Sequence, residues 1–130
     1  MSQKLLEEDI MEMVMDHYDN PRNYGQLEDA DVVQHGGNPG CGDTITIYIK
    51  IDKNGVVERA SFDGDGCIIS QATCSLITEH IKGMSVSEVK KLDIEFLKSL
   101  IGKDIIIRRP KCSKLALETI IYGLKDYNRV

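Results

Sequence analysis

The chain has 130 residues, a formal net charge of -5, 42% hydrophobic residues and 28% charged ones. This is enough for one compact domain, 1–130, with its own core and no need of a disulfide framework. The acidic balance speaks against nucleic acid or an anionic membrane surface as a partner.

No apolar run approaches the roughly 20 residues that span a bilayer. The N-terminus MSQKLLEEDIMEMVMDHY carries acids and no small-residue cleavage pattern, so a cytoplasmic protein without a secretory signal is expected.

The first helix is expected from Glu7 to Tyr18, where Leu6, Ile10, Met13, Val14, His17 and Tyr18 recur at helical spacing. Asn20-Pro21 ends it, because the residue before a proline is pushed out of the helical region. Val32 and Val33 start a short strand, and the stretch from His35 to Gly42 reads as a glycine-dense loop. Thr44 to Ile51 is the clearest strand: Ile45, Ile47, Ile49 and Ile51 alternate with polar residues and tyrosine. Asp52-Lys53-Asn54-Gly55 reads as a hairpin turn, with Val56 to Phe62 returning. Asp63-Gly64-Asp65-Gly66 is expected to break that strand. A helix follows from Cys67 to Lys82 on a stripe of Ile68, Ile69, Ala72, Leu76 and Ile77, closed by Gly83. Ser85 to Leu100 holds one or two short helices, with Ser85 and Glu88 at capping-box spacing. Ile105-Ile106-Ile107 reads as extended. Pro110 precedes a last helix whose stripe is Leu117, Ile120, Ile121 and Leu124. The order of elements implies an α+β domain with a small antiparallel sheet.

In a reducing compartment, cysteines more often bind metal or react than pair as disulfides. Cys41 lies in the glycine-rich loop, Cys67 opens a helix after a glycine turn, and Cys112 opens the last helix. Helix N-termini favour thiolate over thiol. Asp43 stands two residues beyond Cys41 and would share its face in extended chain. Three thiolates and a carboxylate suit tetrahedral zinc or iron. The intervals of 26 and 45 residues match no zinc finger, so a shared site and scattered cysteines both remain open. Cys74 is seven residues past Cys67, about 10 Å along a helix, and is expected outside the site.

Among the other candidates, His17 reads as a packing residue, His35 as a candidate to approach the Cys41 loop, and His80 as structural or exposed. Lys111 is a candidate for charge assistance to an anionic sulfur species. Arg108 and Arg109 form a small basic patch that suits an acidic partner or is simply solvated. Met11, Met13 and Met15 cannot face one point on a helix, and the glycine run lacks the P-loop lysine and hydroxyl.

The stretches VMDHYDNPRNYG, GNPGCGD, GDGCIIS and PKCSKLALE resemble, in order, those of the iron–sulfur cluster assembly scaffolds of the IscU / SufU / NifU N-terminal family. The resemblance implies a three-stranded antiparallel sheet with helices packed on it. It implies that Cys41, Cys67 and Cys112 are the assembly cysteines with Asp43 as fourth site residue. It also implies a cysteine desulfurase that delivers sulfur as persulfide.

Five features depart from one branch or the other. Lys111 stands where the IscU branch has histidine, and GDGC is SufU-like. The roughly twenty-residue insertion of the SufU branch is absent. Ile106-Ile107-Arg108-Arg109-Pro110 replaces the LPPVK segment read by an Hsp70-type chaperone, which puts that partnership in question. Cys74 is extra.

The function read from this is a scaffold on which a [2Fe–2S] cluster is built from iron and sulfur and handed to apo-proteins, with Cys112 as main sulfur acceptor. The alternative is a zinc-dependent sulfurtransferase of the SufU kind.

Overall fold

The computed structural model describes residues 3–38, 42–125 and 127, excluding the side chains of 3–7 and 38. Its elements are α1 (Gln3–Asp19), β1 (Val32–Asn38), β2 (Asp43–Ile51), β3 (Val57–Asp65), α2 (Ile68–Ile81), α3 (Val86–Lys90), α4 (Ile94–Ile101), α5 (Lys103–Arg108) and α6 (Pro110–Leu124). The strands form one antiparallel sheet in the order β1-β2-β3. The expected α+β class with a three-stranded sheet is therefore the one observed.

The alternation in β2 decides which face is covered. Ile45, Ile47, Ile49 and Ile51 are buried against the helices together with Ala60 and Phe62 of β3. Each fully buried isoleucine contributes about 1.5–3 kcal/mol relative to an exposed one. α6 lies against β1, α2 against β3, and α1 packs on α2. Two bonds to one hydroxyl tie the α1 end to α2: His17 Nδ1 lies 2.7 Å from Ser75 Oγ, and the Arg22 N–H donates to the same oxygen at 2.8 Å.

Three expectations change. β1 does not stop at Val33: His35, Gly36 and Gly37 stay in register with Thr46, Ile45 and Thr44. Gly36 is a packing glycine, since a Cβ there would collide with the Thr119 hydroxyl on α6. β3 likewise runs on through Asp63, Gly64 and Asp65, paired with Thr46, Ile45 and Thr44. Gly64 has φ +136°, and a Cβ would strike the Thr44 carbonyl. Glycine here permits close strand approach instead of a turn. Finally, Ile105-Ile106-Ile107 is helical within α5, with Ile106 in the core and Ile107 exposed.

α2 is buried on more sides than one stripe allows. Ser70, Thr73, Cys74, Ser75 and Thr78 are all inside, whereas Ile68 is 39% exposed. The helix can be enclosed because its hydroxyls find partners: Thr73 donates to the Ile69 carbonyl at 2.6 Å, Thr78 to the Cys74 carbonyl at 2.7 Å, and Ser75 meets His17 and Arg22. The capping box expected at Ser85 and Glu88 is present at the start of α3.

Candidate metal and sulfur site

Asp43 is the first residue of β2 and lies on the inward face, in phase with Ile45. Its carboxylate is 5% exposed. Such a group needs partners, because a buried carboxylate without hydrogen bonds is costly. Oδ1 accepts the backbone N–H of Cys67 at 3.2 Å, and Oδ2 accepts the thiol of Cys112 at 3.3 Å. Three elements converge here: the start of β2, the cap of α2 and the first turn of α6. Cys67 is the N-cap of α2 with extended backbone, so its N–H is free to turn towards Asp43.

The carboxylate oxygen and the two sulfurs lie within 4.8 Å of one another. In a zinc site with bonds of about 2.3 Å, neighbouring sulfurs stand about 3.8 Å apart, so a small contraction would suit a single ion. Two thiols and a carboxylate form a soft-to-borderline donor set, which suits zinc or iron over magnesium or calcium. Cys41 lies outside the described residues.

The charge state of Cys112 differs from the expectation. Its place at a helix N-terminus predicts a thiolate. Instead, burial pushes the Cys112 thiol up to about 12, with the Cys67 sulfur and the Asp43 carboxylate acting in the same direction. Cys112 is only 6% exposed and faces an anionic neighbour, and these effects outweigh the helix end. Lys111, Arg108 and Arg109 are exposed and form no ion pair among the described residues.

The remaining candidates fall away from the site. Cys74 is wholly buried in the core cluster, and burial alone pushes its thiol up. His17 serves packing through Ser75. His35 sits exposed on β1 with Nδ1 2.7 Å from Thr46 Oγ1. His80 lies against Phe96, ring centroids 4.8 Å apart. None of the three belongs to the cluster of Asp43, Cys67 and Cys112.

The sequence reading missed the polar side chains that hold the Cys67 turn. Ser70 Oγ donates to the Cys67 carbonyl at 3.1 Å, and Gln71 Nε2 donates to the Gly64 carbonyl at 3.1 Å. Their only sequence signal is a polar pair, Ser70-Gln71, directly after Ile68-Ile69 in the first turn of the helix.

The family model described as the NifU-like N terminal domain matches residues 9–130. The iron-sulfur cluster assembly scaffold protein IscU 1 of Archaeoglobus fulgidus is 40% identical over 116 residues, covering 89% of this chain and 74% of that protein. The zinc-dependent sulfurtransferase SufU of Bacillus subtilis is 42% identical over 93 residues, covering 72% of this chain and 62% of SufU. A crystal structure from Fervidobacterium islandicum, described as an iron-sulfur cluster assembly scaffold for the SUF system, superimposes with a TM-score of 0.73. Its identity is 28%, over 87% of this chain and 94% of that one.

Proposed function

The chain belongs to the NifU-like N-terminal family, and from that premise we propose that it is a scaffold on which an iron–sulfur cluster is assembled and from which it is passed on. The observation that carries this reading is the convergence of Asp43, Cys67 and Cys112 on one point where the start of β2 meets the first turns of α2 and α6. Cys41 joins them as the fourth ligand, and the cluster is of the [2Fe–2S] type. Relatives named as IscU scaffolds at about 40% identity over most of the chain support the same reading.

Sulfur arrives from a cysteine desulfurase. The Cys112 thiolate attacks the terminal sulfur of the enzyme's persulfide, and the enzyme's cysteine leaves as thiolate. Cys112 becomes the persulfide, with no net oxidation. The thiol proton, which the hydrogen bond directs at Asp43 Oδ2, must leave the site first. The exposed Lys111, Arg108 and Arg109 supply positive potential for the anionic sulfur. The acceptors of the cluster are apo-proteins, and the place of work is the cytoplasm. Among the described residues, no helix is long and apolar enough to cross a membrane.

The second reading is a zinc-dependent sulfurtransferase, favoured by Lys111 before Cys112 and by the similarity to SufU. Anaerobic incubation with iron, cysteine and a desulfurase separates the two. A scaffold develops cluster absorption, binds iron and sulfide in equal amounts, and donates them to an apo-ferredoxin. A sulfurtransferase retains one zinc and gains only persulfide. In either case, Cys41→Ser, Cys67→Ser and Cys112→Ser should each lose most of the bound metal. Normal metal content in all three overturns the site.

A further inference from the structure

We infer that Gln71 is a positioning residue for Cys67, holding the turn between β3 and α2 so that this sulfur reaches Asp43 and Cys112. The inference rests on the site proposed above and concerns a residue outside its ligand set.

The strand edge supplies the reason. Backbone groups of alternate residues in a strand face the same edge. Phe62 turns its N–H and carbonyl to the edge away from β2, where Asn23 and Gly25 satisfy both: the Gly25 N–H donates to the Phe62 carbonyl at 2.8 Å and the Phe62 N–H to the Asn23 carbonyl at 3.0 Å. Two residues on, Gly64 faces the same edge, past the end of that backbone pairing. Its carbonyl is met by side chains instead, by Gln71 Nε2 at 3.1 Å and more loosely by the Tyr24 hydroxyl at 3.5 Å.

Gln71 makes a second bond from the same position. Its backbone N–H donates to the Cys67 carbonyl at 3.1 Å, the first turn of α2. One residue thus grips both ends of the segment Gly64-Asp65-Gly66-Cys67. Cys67 is further held by Asp43 at its N–H and by Ser70 at its carbonyl. Without the side-chain bond, the Gly64 end loses its closest donor, at a glycine whose backbone has φ +136° and little intrinsic preference to stay. The arc carrying Cys67 then samples more positions, and the approach of its sulfur to the other two donors is lost part of the time.

The test uses Gln71→Met, which keeps length and loses the donor, and Gln71→Glu, which keeps shape and loses the donor. Three measurements are made on the full chain. Thermal melting reports the fold. Mass-resolved alkylation of the metal-free protein with iodoacetamide reports the Cys67-to-Cys112 rate ratio. Cobalt(II) titration reports metal affinity and, through its charge-transfer and d–d bands, thiolate count and geometry.

The expected result is a rise in the alkylation ratio of about fivefold to tenfold, with cobalt affinity about tenfold weaker and altered d–d bands. Melting should be little changed in at least one variant. An unchanged ratio, or a ratio that rises only in proportion to lost fold stability in both variants, overturns the inference. The alkylation arm needs no metal. If the native protein fails to bind cobalt, the site reading falls, while the ratio still decides the role of Gln71.

Discussion

Asp43 does two things that pull against each other. In the proposed site its carboxylate would be the hardest donor, and an iron–sulfur cluster prefers softer ligands. As a buried acceptor, it holds the Cys67 N–H and the Cys112 thiol. On the proposed scaffold reading, the first role would make a ligand that leaves readily and opens a position for an incoming cysteine of an acceptor protein. Asp43→Ala is therefore expected to lengthen the life of a reconstituted cluster and slow its transfer to apo-ferredoxin severalfold. The second role predicts a lowered melting temperature, since each of the two donors left without its acceptor costs about 1–3 kcal/mol. A variant that unfolds readily, yet transfers clusters normally once stabilised, would leave Asp43 purely structural. Cys74 is the contrasting case, a wholly buried thiol away from the cluster. Cys74→Ser should keep its full metal content and lose about 1–2 kcal/mol of stability, because a hydroxyl replaces an apolar thiol in the core. Loss of metal from that variant would bring Cys74 into the site.

At the scale of elements, Gly36 is where β1 and α6 meet, and its missing side chain makes room for Thr119. Gly36→Ala should cost about 1–3 kcal/mol by overpacking. Thr119→Ala in the same chain should recover much of it, a coupling that denaturant melts of the four variants measure. Additive losses would mean that the strand yields elsewhere. The same glycine shows where sequence reading stops. The period of two in β2, the Asp52–Gly55 turn and the Ser85 capping box are local patterns, and each is found in place. Gly36 and Gly64 are equally visible in the sequence, but a glycine signals a turn or a close approach alike. The choice is made by Thr119 and Thr44, residues distant in the chain. Ile105-Ile106-Ile107 fails for a similar reason: β-branched residues favour strand by a few tenths of a kcal/mol, and burial of Ile106 outweighs that. The proximity of Asp43, Cys67 and Cys112 follows the motifs and the family resemblance, while Cys41 lies outside the described residues. The protonation of Cys112 was not legible in them, because it follows from burial and from neighbours that the fold brings together.

With Cys112 as a ligand of the proposed site, metal, proton and stability are coupled across the whole molecule. The core formed by β2, β3, α2 and α6 is continuous without the site, so the metal-free protein is expected to be folded. Zinc bound at the proposed site would add about 2.7 kcal/mol when free metal stands at a hundred times its dissociation constant. Binding must displace the Cys112 proton, because burial holds that thiol neutral up to about pH 12. Zinc affinity therefore climbs as pH rises. The metal-free protein moves the other way. The folded Cys112 thiol ionises above its ordinary value of 9.0, so the stabilisation is fully present below about pH 9. It is lost as pH rises towards 12, because the unfolded chain ionises first. Both effects have the same sign for the difference between zinc-loaded and metal-free melting temperatures. That difference should widen steadily from pH 6.5 to 9.5 at chelator-buffered free zinc, and the metal-free curve alone should start to fall near the upper end. Cys112→Ser removes the titrating group, and its difference should be smaller and flatter across the range. A native difference that stays constant or narrows with rising pH would mean that Cys112 does not give up a proton to the metal, and the ligand set would have to be redrawn without it.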